Sequence, residues 1–255
     1  NETTNNGWAS GSAGIGLRGL SQKNTLVLLN GRRLANYGFP SGGLSDTFVN
    51  LNALPLVAVE RIEVLKDGAS AVYGSDAVAG VVNIITRQGF EGAELGVSGG
   101  TSEAGGLDQQ NVKFIGGIGD LDTDGYNILV SLEGYNRDRL DQDQRALTRS
   151  GIYTDLAGGR WNGWSAKGAR YLVDGKSVPM LDASGNCPEG TVLTASAPID
   201  GLAGDTCAFN QAPYTTLIPS TKRWQAYVNG TLRLNDSVDA FAEVIYSDIK
   251  GVSWF

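Results

Sequence analysis

Histidine is absent from this sequence, which excludes histidine-based acid–base catalysis and histidine metal ligation within its 255 residues. Charged residues are also few, at 18%, and the net charge of −7 arises from interspersed acidic and basic residues. Because no basic face is available to neutralise phosphates, nucleic acid is not expected as a partner. No stretch approaches the roughly 20 apolar residues of a membrane helix, and no signal peptide pattern occurs at the start. The chain opens on a loop-like segment, so we expect the natural N-terminus to lie upstream.

Cysteine is nearly absent as well. The two cysteines, Cys187 and Cys207, lie in a segment rich in Gly, Pro, Ser and Thr, and neither belongs to a C-x-x-C pair. A zinc site is therefore not expected. We expect a disulfide between them, which would imply an oxidising compartment and stabilise the fold by about 3 kcal/mol in the chain-entropy model. Two free thiols are the alternative.

Glycine is abundant instead, with 36 residues, about twice the usual share of roughly 7%. The segment Gly14–Gly19, GIGLRG, matches the G-x-G-x-x-G fingerprint of dinucleotide-binding loops. That function requires a preceding buried strand, a following helix and an acidic residue about 20 residues further on. The motif instead follows a loop-like segment and precedes a β-compatible run ending at Asn30-Gly31, and no acidic residue occurs between Glu2 and Asp46. A nucleotide-dependent enzyme is therefore not expected.

The hydrophobic pattern changes near residue 88. Before that point, short strands alternate with short helical turns, and the apolar run Val81–Ile85 is typical of a strand covered on both faces. After it, five segments of about ten residues alternate with period two, which is typical of a membrane β-barrel. In the segment 223–234 one face is wholly apolar or Gly, and the other is almost wholly polar. A soluble antiparallel sheet with one face on a core is the alternative.

The aromatic residues and the connections support the barrel. Trp224, Tyr126 and Tyr246 lie near the ends of the apolar faces, where a membrane interface would be. Short connections alternate with long ones, of which the longest covers about 139–221. Barrels of this type have short periplasmic turns and long extracellular loops, so we expect this loop and both cysteines to be extracellular.

One short connection begins like a calcium-binding loop. Asp120, Asp122 and Asp124-Gly125 have the spacing that opens an EF-hand, but the twelfth position is Ser131 rather than Glu. A polar turn is the expected structure.

Several motifs in the right order over residues 14–87 resemble the plug domain of TonB-dependent outer-membrane receptors. VERIEVLKDGASAVYGSDAVAGVVNIITR, at Val59–Arg87, resembles the C-terminal part of that plug, and its tail is similar to that of vitamin B12 transporters in particular. LRG, at Leu17–Gly19, matches the family's I-R-G element, and VLLNGRRL matches an L-V-D-G-V-R-V strand. Lys66-Asp67-Gly68 departs from the family's K-G-P. In this setting the glycines of GIGLRG are expected to serve turns and close packing.

The resemblance implies an α+β plug domain with a small mixed sheet at residues 1–88, incomplete at its N-terminus. Residues 89–255 would then be the first five or so antiparallel strands of a transmembrane β-barrel of about 22 strands. It implies a protein of the Gram-negative outer membrane, in contact with outer-membrane lipid, that is not an enzyme and needs no cofactor or metal. TonB would bind a segment upstream of this chain.

The implied function is TonB-dependent uptake of a scarce solute such as a siderophore, cobalamin, an oligosaccharide or a peptide. A passive porin-like or structural barrel is the alternative. The resemblance assigns Arg18 and Arg61 to a lock that joins the plug to carboxylates on the barrel wall. It places the substrate-contacting loop at 35–45, where three residues are our candidates: Asn36, Tyr37 and Phe39. Trp161 and Trp164 of the long loop are candidates to stack on a flat substrate.

Overall fold

The structure is a computed structural model that describes residues 11–38, 47–149, 164–174, 176–179, 181–189, 191–194, 206–210 and 212–253. The chain divides into two compact units. The first comprises residues 1–102, 107–139 and 218–253, and the second comprises residues 103–106, 140–217 and 254–255. In the ranges that the structure describes, no helix is both long and apolar enough to cross a membrane.

The first unit begins with a four-stranded mixed sheet. Its strands are β1 (Thr25–Leu29), β2 (Arg32–Arg33), β3 (Val59–Leu65) and β4 (Gly80–Thr86). They lie in the order β2-β1-β4-β3, with β1 and β4 parallel and the other pairs antiparallel. The turn between β1 and β2 has positive φ at both Asn30 and Gly31, as a type I′ hairpin requires. The predicted mixed sheet is confirmed.

Short helical segments lie on both sides of this sheet. They are α1 (Ala69–Tyr73) and 3₁₀ turns at Gln22–Asn24, Leu51–Ala53, Leu56–Ala58 and Ser75–Ala77. All five residues of β1 are buried. Leu26 and Leu28 pack with Ala69 and Ala77, whereas Val27 and Leu29 belong to a second cluster on the opposite side. The sheet is thus covered on both faces, as its apolar runs predicted.

The first unit continues with a five-stranded antiparallel sheet. Its strands are β5 (Gly92–Gly100), β6 (Gln109–Ile118), β7 (Tyr126–Arg137), β14 (Ser220–Asn235) and β15 (Val238–Val252). They are ordered β15-β14-β7-β6-β5. These are the five segments with period-two alternation. At one end of the sheet the strands are joined by the short connections 119–125 and 236–237, and at the other by the longer connections 101–108 and 138–219.

The second unit contains strands that the sequence analysis did not predict, since it assigned only a long loop there. Its strands are β8 (Leu140–Asp141), β9 (Trp164–Val173), β10 (Lys176–Pro179), β11 (Thr191–Thr194), β12 (Thr206–Asn210) and β13 (Thr216–Ile218). Four of them form an antiparallel sheet in the order β10-β9-β12-β11, and β8 pairs with β13. The predicted disulfide is confirmed, because Cys187 and Cys207 are bonded with their Cα atoms 5.5 Å apart.

The glycines of GIGLRG serve packing and a turn, as expected. A Cβ on Gly14 would lie 2.7 Å from the Phe48 ring, and one on Gly16 would lie 2.6 Å from the carbonyl oxygen of Leu20. Gly19 has φ +70°, a conformation that favours glycine. The motif is followed by the single 3₁₀ turn Gln22–Asn24 rather than by the helix that a dinucleotide site needs.

Candidate functional site

The two faces of the five-stranded sheet differ in composition and burial. The outer face, which we define as the one turned away from the four-stranded sheet, carries exposed apolar residues: Leu95, Val97, Val112, Tyr126, Ile128, Leu132, Trp224, Val228, Leu232, Val244 and Tyr246. The inner face carries buried polar residues: Asn127, Ser131, Glu133, Thr221 and Gln225. This arrangement is the reverse of a soluble sheet, which buries its apolar face.

An apolar patch on the inner face joins the two sheets. Ile115, Leu129 and Tyr227 are fully buried and pack in one cluster with residues of the N-terminal domain, residues 1–88. The members of this cluster from the N-terminal domain are Val27, Leu29, Leu54, Val57, Ala58, Val82 and Ile84. The inner face therefore contacts the N-terminal domain both through this apolar cluster and through polar groups around it.

Two buried polar side chains of the inner face, Glu133 and Gln225, bind backbone atoms of the N-terminal domain. Glu133, only 4% exposed, accepts a hydrogen bond of 3.1 Å from the backbone N–H of Leu56. That N–H opens the 3₁₀ turn Leu56–Ala58 and has no partner inside it, so the carboxylate satisfies it in the manner of a helix cap. Gln225 donates its side-chain amide to the carbonyl oxygen of Asn52 at 2.5 Å. Glu133 and Gln225 are thus paired across the interface, as the burial of polar groups demands.

A second, partly buried carboxylate of the sheet contacts the β1–β2 hairpin. Glu243 of β15 pairs with Arg32, with 3.1 Å between Oε2 and Nη1. It also accepts hydrogen bonds of 2.7 Å from the Asn30 amide and from the Tyr227 hydroxyl. An arginine–carboxylate pair between the domain and the sheet therefore exists, although the sequence analysis did not assign it to Arg32.

The two arginines predicted for the lock pair elsewhere in the described residues. Arg18 contacts Asp67, in the turn where the sequence departs from the K-G-P pattern. Arg61 contacts Glu60 and Glu63 of its own strand, and the hydrogen bond to Glu63 raises the pKa of its guanidinium. All these partners belong to the N-terminal domain and are exposed. A contact of either arginine with the wall stays a prediction.

A cavity of about 500 Å³ lies where two of the predicted substrate residues are found. Asn36 and Tyr37 line it from the domain, and Ile245, Ser247 and Ile249 line it from β15. Such a mixture of apolar walls and a few polar groups is typical of small-molecule sites.

The loop that carries Asn36 and Tyr37 is closed at its base. Asn36 donates a side-chain hydrogen bond of 3.3 Å to Thr47, and the backbone N–H of Tyr37 donates one of 2.7 Å to the carbonyl of Phe48. The rings of Tyr37 and Phe48 are in contact, with centroids 5.7 Å apart. The base is thus fixed on the cavity rim.

The other predicted substrate residues are not tested by the geometry. Phe39 and Trp161 lie outside the described residues, and Trp164 begins strand β9 in the second unit. Their contact with a substrate stays a prediction.

The connection that resembles a calcium loop is a self-contained polar turn. The Asp120 carboxylate accepts hydrogen bonds of 2.9 Å from the backbone N–H groups of Thr123 and Asp122. These bonds, that from Thr123 foremost, lower the pKa of Asp120. Among the described residues, no group of three or more acidic or cysteine side chains is placed to hold a metal ion.

The sequence analysis missed Arg32, Glu133 and Glu243. Glu133 and Glu243 carried a usable signal, because each is a charged residue at a polar position of a strand with a period-two pattern. Arg32 comes directly after the Asn30-Gly31 turn, so its side chain lies at the tip of the hairpin. No sequence signal pairs Arg32 with Glu243, since 211 positions separate them.

Comparisons with known proteins agree with this geometry. Residues 2–81 match the family model of the TonB-dependent Receptor Plug Domain. The chain is 29% identical over 169 residues to the Vitamin B12 transporter BtuB of Photobacterium profundum, an alignment that covers 63% of this chain and 26% of that protein.

Two solved structures share the fold. The siderophore receptor PirA from Acinetobacter baumannii has a TM-score of 0.54 and 16% identity, with 92% of this chain and 25% of that chain covered. A mutant of the ferric enterobactin receptor PfeA from Pseudomonas aeruginosa has a TM-score of 0.51 and 19% identity, with 92% and 26% covered. The chain thus spans about a quarter of the length of these relatives. The N-terminal domain thus matches the plug of TonB-dependent receptors, and the chain is similar to about a quarter of the length of receptors of that non-enzymatic family.

Proposed function

We propose that this chain is the plug and the first part of the wall of an outer-membrane transporter that takes up a scarce solute with energy from TonB. The observation that carries this proposal is the packing of the plug on the polar inner face of a sheet whose apolar face is exposed. A sheet of this kind is stable when hydrocarbon covers its outer face and the plug fills its interior.

The height of the apolar face supports the membrane position. Trp224 and Leu234 are both exposed on the outer face, ten residues apart on β14. At about 3.4 Å per residue this length is ~34 Å, and a strand tilt of ~40° reduces it to ~26 Å along the membrane normal. The apolar band of outer-membrane barrels is about 25 Å tall. The short connections 119–125 and 236–237 are then periplasmic, and the second unit is extracellular.

The plug distinguishes active transport from a passive pore. A porin-like barrel needs an open lumen, whereas here plug residues fill the inner face with an apolar cluster and paired polar groups. Solute passage therefore requires that part of this interface opens. In the family, TonB supplies the pull, and in this protein it would act through a segment upstream of the chain.

The solute would first bind at the cavity that Asn36 and Tyr37 line. Contacts of the solute with Phe39, Trp161 and Trp164 stay separate predictions. The name of the BtuB relative makes cobalamin the first solute to test. Siderophores, oligosaccharides and peptides remain candidates, because the fold of the plug does not select among them.

Uptake in whole cells tests this proposal. The full-length protein would be expressed in a strain without its own cobalamin and siderophore receptors, and accumulation of labelled cobalamin and ferric siderophores would be measured with and without TonB. We expect one solute to accumulate against its gradient only when TonB is present. Entry of solutes down their gradients, independent of TonB, would establish the passive pore instead.

A further inference from the structure

The Glu243 carboxylate lies at the centre of a hydrogen-bonded group that joins the plug to β14 and β15. Its side chain is 13% exposed. One oxygen accepts hydrogen bonds of 2.7 Å from the Asn30 amide and the Tyr227 hydroxyl, and the other lies 3.1 Å from Arg32. A buried carboxylate is stable when several donors surround it in this way, and here two of its three donors come from the plug.

Each plug donor is itself fixed by a second contact. The Arg32 guanidinium lies over the Phe241 ring, with 3.8 Å between its central carbon and the ring centroid. Phe241 and Glu243 are alternate residues of β15, so both face the plug. Arg32 therefore contacts two positions of one wall strand at once, which sets its place along that strand.

Asn30 connects the same carboxylate to another plug strand. Its side chain donates a hydrogen bond of 2.9 Å to the Thr86 hydroxyl and accepts one of 3.0 Å from the backbone N–H of Thr86. Thr86 in turn lies 3.0 Å from the Tyr227 hydroxyl. The group thus joins the hairpin, the end of β4 and two wall strands into one network, which we call the Glu243 network: Asn30, Arg32, Thr86, Tyr227 and Glu243.

This network is not needed to form either sheet. The Asn30-Gly31 hairpin follows from its own turn residues, and the wall strands are held by their backbone ladder. Its specific effect is to fix the plug on the wall. The other described arginine–carboxylate pairs of the plug differ from it. Arg18, Arg33 and Arg61 pair with carboxylates of the plug that are about half exposed or more. Arg87 pairs with Glu94 of β5, which is exposed and lies only seven positions further along the chain.

We propose that Glu243 anchors the β1–β2 hairpin of the plug to β14 and β15. This anchor prevents ions from passing between the plug and these two strands. The inference rests on the proposed function in one respect, which is that the sheet belongs to the wall of a plugged barrel. Glu243 and Arg32 are positioning residues, because they hold the plug and need not touch the solute.

The test uses the purified full-length protein in planar lipid bilayers, with ion conductance recorded at increasing urea concentrations. Glu243→Gln keeps the shape of the side chain but removes its charge, and Arg32→Gln removes the charge of its partner. We expect each variant to raise the conducting fraction at a given urea concentration by about tenfold relative to wild type, since hydrogen bonds to buried charges are among the stronger ones. Because both variants break one pair, Glu243→Gln combined with Arg32→Gln should exceed the larger single effect only slightly.

The matched control is Asp239→Asn. Asp239 lies on the same strand and the same face as Glu243, but it pairs with Arg233 of the wall at 3.2 Å rather than with the plug. We expect this variant to conduct like wild type. Tyr227→Phe, which removes only the hydroxyl, should give a smaller increase than Glu243→Gln.

The outcomes separate the two proposals. Steady conductance of wild type without urea would mean that the barrel is not closed, which overturns the proposed function and the anchor with it. A closed wild type, together with Glu243→Gln and Arg32→Gln variants that match Asp239→Asn, would overturn the anchor alone. If Glu243→Gln fails to assemble, Arg32→Gln decides, since it leaves every wall residue unchanged.

Discussion

The four-stranded sheet of the plug and the five-stranded sheet of the wall bury opposite kinds of surface. In the plug, β1 is apolar on both faces and wholly buried, like the core of a water-soluble domain. In the wall, apolar side chains such as Leu132 and Trp224 are exposed, while Ser131 and Glu133 beside them are buried. This difference is the one expected from the proposed function, in which water surrounds the plug and hydrocarbon covers the wall.

The boundary between the two regions combines both kinds of contact. An apolar cluster around Leu129 and Ile115 supplies buried apolar surface area. Glu133, Gln225 and Glu243 supply directional hydrogen bonds. Polar contacts of this type can be exchanged for water one at a time when the plug moves, which a purely apolar interface does not permit.

The largest expected effect is a loss of plug stability on truncation of its core. Leu28 is 2% exposed, so Leu28→Ala should destabilise the plug by about 2–5 kcal/mol through lost burial and a cavity. The urea midpoint for protease cleavage of the plug in the full-length protein measures this. The control is Leu132→Ala on the outer wall face, which should cost only about 0.5 kcal/mol if hydrocarbon covers Leu132. Equal losses of stability from Leu28→Ala and Leu132→Ala would contradict the difference in burial between the plug and the wall.

A charge on the outer face gives the next largest effect. Val228 lies on that face near the middle of β14. Val228→Arg should destabilise the assembled barrel by about 2–4 kcal/mol, because the charge would lie near the bilayer midplane. Heat-resistant migration and the yield in outer membranes report the loss, with Val228→Leu as the control. Normal assembly of Val228→Arg would show that water, not lipid, covers this face.

The same face can be mapped by labelling single cysteines. Cysteines at Val228 and Leu232 should react with lipid-soluble probes, and those at Asn229 and Thr231 only with water-soluble probes. The prediction depends on alternation along β14, because a shift of one residue exchanges the two faces. The reverse labelling pattern would mean that the sheet is turned inside out.

The predicted arginine lock gives an effect on transport rather than on assembly. Arg18→Ala combined with Arg61→Ala should leave the barrel and solute binding unchanged, but lower TonB-dependent uptake or expose the plug to protease. The control is Arg33→Ala, which removes an exposed plug arginine that pairs with Asp76 at 2.5 Å. If binding, uptake and protease protection of the double variant all match wild type, the two arginines are ordinary surface charges.

The smallest expected effect concerns the polar turn at Asp120. Hydrogen bonds from Thr123 and Asp122 lower the pKa of this carboxyl. Their stabilisation is complete above the ordinary pKa of about 4 and is lost as the pH falls through the lower folded value. Amide exchange of Thr123 between pH 6 and 2 measures the loss. Asp120→Asn should retain the turn but lose the pH dependence, so an unchanged pH profile in this variant would contradict the assignment.

Local features of the sequence predicted much of the fold. The turn residues Asn30 and Gly31 predicted the hairpin, and alternation predicted all five wall strands. The pattern is weakest in β15, where apolar Phe241 and Ile245 lie on the inner face: Arg32 lies over the Phe241 ring, and Ile245 packs against the apolar cluster that joins the plug and the wall. Its deviation from alternation is therefore a sign of plug contact.

The contacts across the plug and wall were not predictable from local pattern. Arg32 and Glu243 are distant in the chain, so only the folded sheet brings them together. The strands of the second unit were missed because Gly and Pro are frequent around them, and because β10 and β11 have only four residues each. Such short strands gain their stability from pairing rather than from intrinsic preference.

The four-stranded sheet in the long connection bears on how the wall is assembled. β7 and β14 pair across residues 138–219, and closing a flexible loop of that length costs conformational entropy that grows with its logarithm. If the inserted sheet folds first, the length of unfolded chain that must be closed becomes shorter. A fourfold reduction would lower the closure cost by about 1.2 kcal/mol, since each halving contributes about 0.6 kcal/mol. Early folding of the loop would thus speed the registration of β14 on β7.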